Sequence, residues 1–468
     1  MSEKKNEAEL LKEKLFFESE NICKADEASV KKADKFCEGY KDFLNTSKTE
    51  REAVEYFKAI AEKKGFVEFD KKGKYKAGDK VYSINRKKAI ILCVFGKKSV
   101  ENGVRLVASH IDSPRLDLKP NPLYEDGELA FFKTHYYGGI KKYQWTAIPL
   151  SLHGVVLKAD GSTVTVSLGE KANEPKFVIT DLLPHLASEQ CKRTLNEGIK
   201  GEELNILIGS RPFKSDKGSE LVKLNIMRLI NEKYGIVEKD FLSAELTLVP
   251  AFPVSDIGFD ASMIGAYGHD DRVCAYPAAM AIFDIKSPEY TAVTVLTDKE
   301  EIGSDGNTGL NSSYLKYFIS DLARLEGLEG RDVLSKSQCL SADVNVAFDP
   351  NFPDVTEKKN VAVLNHGVCV TKYTGARGKS GTSDASAEFM NKVARLFDKN
   401  KVVWQTGELG KVDIGGGGTV AMYIANLDVD VIDVGVPVLS MHSPFEVVAK
   451  NDVYMAYKAF TSFFEDKE

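Results

Sequence analysis

Residues 291–322 read TAVTVLTDKEEIGSDGNTGLNSSYLKYFISDL. Ala292–Leu296 is a short apolar run rich in β-branched residues, a strand signal. A polar stretch follows, and Ser312–Leu322 then reads as helical. The alternation repeats after Ala251. Arg272–Asp284, Ser383–Phe397 and Asp452–Phe464 read as helices, and Val361–Val370 and Val429–Val434 as β-runs. Such alternation predicts an α/β fold, a mostly parallel sheet flanked by helices on both faces.

Upstream the character differs. Residues 1–65 read as helical, with Val54, Phe57 and Ala61 recurring on one face of Lys48–Lys64. Two β-runs follow, Ala89–Phe95 and Val104–Ala108. From about Pro120 to Pro250 the chain reads as hairpins, the clearest being VVLKADGSTVTVSL around Asp160-Gly161. The expected organisation is one α/β domain, residues 1–119 and 252–468, interrupted by a β-rich insertion at 120–251.

The 468 residues allow two to four domains at roughly 100–200 residues each. With 43% hydrophobic and 28% charged residues, disorder and coiled coil are poor readings of the whole chain. A net charge of −6 argues against a nucleic-acid partner. Ala89–Phe95, 7 residues, is the longest dense apolar run, and a membrane span needs about 20. The opening MSEKKNEAELLKEK is charged throughout, without the apolar core of a signal peptide. A cytoplasmic protein without membrane contact is expected. Cys23, Cys37, Cys93, Cys191, Cys274, Cys339 and Cys369 form no CxxC pair and read as reduced core thiols.

In open α/β sheets ligands bind beyond the carboxyl ends of strands. His110 and Asp112 follow VRLVAS; Asp298, Glu300 and Glu301 follow TAVTVLT. Asp343 lies in SADVNVA, and His442 follows VIDVGVPVLSM. His269, Asp270 and Asp271 precede the helix at Arg272. Two imidazoles and several carboxylates suit a pair of divalent ions, zinc accepting both donor types. Two ions about 3.5–4 Å apart share a bridging carboxylate and act together on a bound water. In Glu300-Glu301, one carboxylate can bind metal while its neighbour stays free as a general base. Singly, each feature has an ordinary reading: a hydrogen-bonded His-Asp pair, a solvated Glu-Glu face, an Asp N-cap.

Other histidines read as structural. His153 lies in an alternating strand, His135 beside a loop at Tyr136–Gly139, and His366 in a turn before Gly367. The run Gly415–Gly418 lacks the Lys-Ser/Thr of a phosphate loop and reads as a close-approach backbone segment near the site.

On six ordered motifs the chain resembles the aspartyl aminopeptidase family of dinuclear zinc metallopeptidases. These are ASHIDSP, HYYGGI with Trp145, LLPHLA, DKEEIGS, SADV and MHSPFE. The resemblance implies a catalytic zinc-peptidase domain with an inserted dimerisation domain. It also implies dimers assembled into a tetrahedral dodecamer. The expected activity is removal of one N-terminal residue from peptides at two zinc ions per subunit, with Co2+ or Mn2+ as substitutes. Carried over, His110, Asp270, Glu301, Asp343 and His442 are metal ligands, with Asp270 bridging. Glu300 becomes the general base, Asp112 orients His110, and His185 reaches the partner's active site. Alternatives are a deacylase or carboxypeptidase on a similar centre, or a non-enzymatic shell protein.

Three segments depart from the family pattern. His269-Asp270-Asp271-Arg272 replaces Arg-Leu-Asp-Asn, and NVAFDPN puts Asp349 where the family has a histidine. TKYTGARGKSGTSDA replaces the family's Lys-Val-Asn…Gln-Arg-Tyr segment. Acidic preference would then rest on Lys372 or Arg377.

Overall fold

The structure is a computed structural model describing residues 6–17, 19–25, 27–215, 217–417 and 420–468. A nine-stranded mixed sheet forms its centre. Four neighbours in the middle run parallel: Ala292–Thr297, Arg105–His110, Gln338–Ser341 and Asp430–Gly435. On one side Ala89–Val94 and Lys80–Asn85 add antiparallel, followed by Val67–Glu68. On the other, Val368–Thr371 is antiparallel and Trp404–Thr406 completes the edge. The departure from an all-parallel sheet has a local cause. Lys80–Asn85 and Ala89–Val94 are joined through Arg86, Lys87 and Lys88, the first two at positive φ. A connection that short closes a hairpin, whereas a parallel pair needs a long crossover.

Both faces of the sheet are buried. Val107 points into a core with Val273 and Val453, from the helices His269–Asp284 and Lys450–Phe464. Leu106 and Ala108 point the other way, toward Phe318 and Ile424 of Tyr314–Leu325 and Ala421–Ala425. Near-continuous apolar strands follow from that double burial. Val54, Phe57 and Ala61 are fully buried on the helix Glu50–Lys63, as their spacing predicts.

Residues Arg115 to Pro250 supply a six-stranded antiparallel sheet with its own core around Trp145, Phe132 and Leu248. The Asp160-Gly161 hairpin is present, with Val155 opposite Thr165. One element differs from the expected hairpins: Leu221–Tyr234 is a helix, closed by Gly235 at positive φ. Val222, Ile226 and Ile230 recur at helical spacing, so the signal was in the sequence. His135 also differs, lying inside the strand Leu129–Tyr137 opposite Asp117.

A third sheet of five short strands includes Met263–Ala266, Pro437–Leu439 and Glu446–Ala449. All seven cysteines are free thiols, five of them buried; Cys23 and Cys191 lie at the surface. Among the described residues, no helix is long and apolar enough to cross a membrane.

Candidate metal centre

The carboxyl ends of the parallel strands converge on one cluster. His110 closes its strand in register with Thr297. Beyond Thr297 the chain makes a tight turn, Glu300–Ile302. Asp343 lies two residues past Gln338–Ser341. Asp270 opens the helix His269–Asp284, and its peptide bond to Asp271 is cis. The preceding Gly268 has φ 76°, and a Cβ there would lie 2.0 Å from the Arg272 guanidinium. His442 sits in the turn between Pro437–Leu439 and Glu446–Ala449, at φ 63°.

Two overlapping triads result, His110–Asp270–Asp343 and Asp270–Glu301–His442, each with ligand atoms within 4.8 Å of one another. Asp270 belongs to both. Its Oδ1 lies 3.2 Å from His110 Nε2 and its Oδ2 3.1 Å from His442 Nε2. Glu301 Oε2 is 3.5 Å from His442 Nε2, and Asp343 Oδ1 is 3.7 Å from His110 Nε2. Glu300 Oε2 lies 3.6 Å from His110 Nε2 and belongs to neither triad.

The imidazoles are oriented alike. His110 Nδ1 meets the Asp112 carbonyl at 3.1 Å, and His442 Nδ1 meets the Gly139 carbonyl at 2.8 Å. Donation there puts the ring proton on Nδ1 and leaves the Nε2 lone pair facing the carboxylates, the tautomer a metal needs. His110 Nε2 and Glu301 Oε1 are buried without a hydrogen-bond partner. Buried polar atoms are ordinarily paired, so these fit a cation. With nitrogen and oxygen donors and no sulfur, the set suits zinc.

The cluster's electrostatics agree. Burial is the main cause raising Glu300 to about 8; His110 opposes it, and Asp343 and Asp270 add to it. Burial and then Asp270 push Glu301 well above the carboxylate range. Burial works against a charged His110, but Asp112, Asp270 and Asp343 outweigh it and raise the ring well above the usual value. Crowded carboxylates of this kind call for positive charge in their midst.

Asp112 does more than orient His110. Its oxygens accept the amides of Glu300 and Glu301 at 3.1 and 3.2 Å and the Tyr137 hydroxyl at 2.8 Å. One buried carboxylate thus fixes the turn that presents both glutamates.

The structure separates the remaining candidates. Asp271 faces the Ser109 hydroxyl and the His110 amide, not the cluster. His269 has both ring nitrogens engaged, by Tyr40 and the Ile264 carbonyl, and burial lowers it to about 3. Asp298 accepts from Thr308 at 2.6 Å. Asp349 caps its own turn at Asn351. Lys372 is exposed at the end of Val368–Thr371, and Arg377 lines a separate cavity of about 160 Å3 with Tyr373 and Glu408. His185 lies exposed in the short turn Pro184–Leu186. In the glycine run, a Cβ on Gly416 would lie 2.0 Å from the Gly375 carbonyl, a true close approach. Gly418 of that run lies outside the described residues. Tyr423, just beyond, donates to the carbonyl of Gly303, two residues after Glu301.

A mixed α/β fold with a paired His/carboxylate centre at its strand ends defines a metallohydrolase. The sequence profile described as Aminopeptidase I zinc metalloprotease (M18) matches residues 43–464, and the chain belongs to that family. A probable M18 family aminopeptidase 1 of Clostridium acetobutylicum is 48% identical, over 94% of this chain and 96% of the relative. The crystal structure of an M18 aminopeptidase from Thermotoga maritima superposes with a TM-score of 0.92 at 42% identity, covering 96% of this chain and 100% of that one. The fold is also that of the S. cerevisiae mApe1 dodecamer, at TM-score 0.75 and 22% identity, over 94% of this chain and 97% of that one. The protein is a zinc aminopeptidase, a hydrolase of peptide bonds.

Proposed function

We propose that this chain removes single N-terminal residues from peptides at a two-zinc centre held by His110, Asp270, Glu301, Asp343 and His442. The supporting observation is the division among the carboxylates. Asp270 addresses each imidazole with a different oxygen, while Glu300 stands outside both triads. Zinc held by these residues supplies Lewis acidity toward the scissile carbonyl and makes water acidic near pH 7. Glu300 accepts the proton at its carboxylate and returns it to the departing amine. Asp112 holds Glu300 in place through the turn amides.

The six-stranded sheet is the dimerisation domain in this reading, residues 120–251, set between 1–119 and 252–468. His185 acts from it in the partner's active site. The exposed Leu182, Leu183 and Leu186 beside it support a covered surface there. Dimers assemble further into a tetrahedral dodecamer, in the cytoplasm. Lys372 or Arg377 supplies charge for an acidic N-terminal residue, and Co2+ or Mn2+ replaces zinc.

The test profiles aminoacyl fluorogenic substrates beside N-acetylated peptides, with metal content measured in parallel. Cleavage of free-amine substrates only, at two zinc ions per subunit, is the expected result. Hydrolysis of the acetylated series would make the centre a deacylase.

A further inference from the structure

Glu446 is 1% exposed and opens the strand Glu446–Ala449. Its two oxygens face different parts of the centre. Oε1 accepts the His442 amide at 2.6 Å, and Oε2 accepts the Asp270 amide at 3.1 Å. Asp270 and His442 come from distant parts of the sequence. They are also the two residues whose side chains meet at 3.1 Å in the second triad.

Burying a carboxylate is costly unless charge-assisted bonds satisfy it. An apolar residue would suit a merely packed position here. His442 has further need of an anchor, because it holds positive φ in an irregular turn. Non-glycine residues persist there only when their surroundings fix them. The strand pairing fixes Glu446 itself, opposite Ala266, two residues before Gly268.

Building on the two-zinc reading, we infer that Glu446 is a positioning residue, a clamp joining the backbones of Asp270 and His442 so that both present their side chains as one unit. It touches no substrate. Its effect is on metal affinity, through the geometry of two ligands at once.

Glu446→Gln tests this. A glutamine offers one oxygen and turns its NH2 toward the second amide, donor against donor. Zinc affinity of the folded variant, read by chelator competition, should fall about 10–100-fold, the usual loss when support of a ligand is removed. Unchanged affinity in a folded variant would overturn the clamp. Should the variant not fold, amide hydrogen exchange on metal-free wild type decides. The His442 amide should be protected although its side chain is part-exposed. Exchange at the rate of an open turn overturns the inference. Wild type that binds no zinc overturns the centre itself. Wild type with two zinc ions and an unaffected variant overturns the clamp alone.

Discussion

Glu300 and Glu301 are neighbours with opposite surroundings. Glu301 belongs to a ligand triad and Glu300 does not. Glu300→Gln should keep both metals and lose turnover by about 10²–10⁴-fold, the range for losing a general base. Glu301→Gln should lose metal as well. Metal analysis that finds the reverse pattern exchanges the roles. Asp270 and Asp271 differ in the same way. Asp270→Ala should empty both sites, since its oxygens face both imidazoles. Asp271→Ala should leave metal bound and instead lower stability, because a buried acceptor for Ser109 and His110 is lost. Equal metal loss in the two would remove the basis for telling them apart. The ligand types were legible from sequence because they collect at the ends of apolar runs or, for Asp270, at the start of a helix. Tyr137, Gly139 and Glu446 were not. All three lie in the motifs HYYGGI and MHSPFE, but they act through a hydroxyl, a backbone carbonyl and a carboxylate that accepts two backbone amides, roles that no residue pattern spells out.

Between elements, His153 joins the six-stranded sheet to the helix Glu50–Lys63. Its ring nitrogens meet Glu52 at 2.8 Å and Glu170 at 2.9 Å. Burial opposes charge on the ring, but the two carboxylates outweigh it and raise His153 to about 9. Burial also opposes ionised Glu52 and Glu170, and His153 helps hold both below the usual range. The imidazole's contribution is therefore full below about pH 6.5, its unfolded value, and is lost as pH rises through about 9. The carboxylates' share is present above about pH 4.3 and lost as pH falls. His153→Gln should cost on the order of 2 kcal/mol near pH 6.5 and little above pH 9.5. Denaturant unfolding at both pH values checks this, and a gap that does not vary with pH would count against the pairing. Long central strands were readable as apolar runs. The five-stranded sheet was not, because strands of two to four residues carry no period.

At the scale of the whole molecule, the prediction concerns activity in trans. His185→Ala should bind metal, stay assembled and lose about 10²–10³ in turnover, as when an oxyanion donor is removed. Mixed with Glu300→Gln under verified subunit exchange, it should regain activity. Some sites would then combine an intact Glu300 with an intact His185. If none returns, His185 does not act across the interface. The six-stranded antiparallel sheet was readable as a change from alternation to hairpins. The spacing of Val222, Ile226 and Ile230 carries its helix Leu221–Tyr234, blurred by the exposed Leu224 and Leu229 between them.

The order of strands in the central sheet has a consequence for biosynthesis. Arg105–His110 lies between Ala292–Thr297 and Gln338–Ser341. Neither neighbour has been translated when that strand leaves the ribosome. The nearer begins roughly 180 residues later, a delay of about 10–40 s at ordinary elongation rates. Through that interval an apolar strand carrying His110 has no partner on either edge, while the antiparallel sheet from Arg115 to Pro250 can already close on itself. The nascent chain should therefore be protease-resistant first in its middle. Stalled chains ending near residue 290, with Ala244–Pro250 clear of the ribosome, should yield a protected fragment from the antiparallel sheet and a digested amino-terminal part.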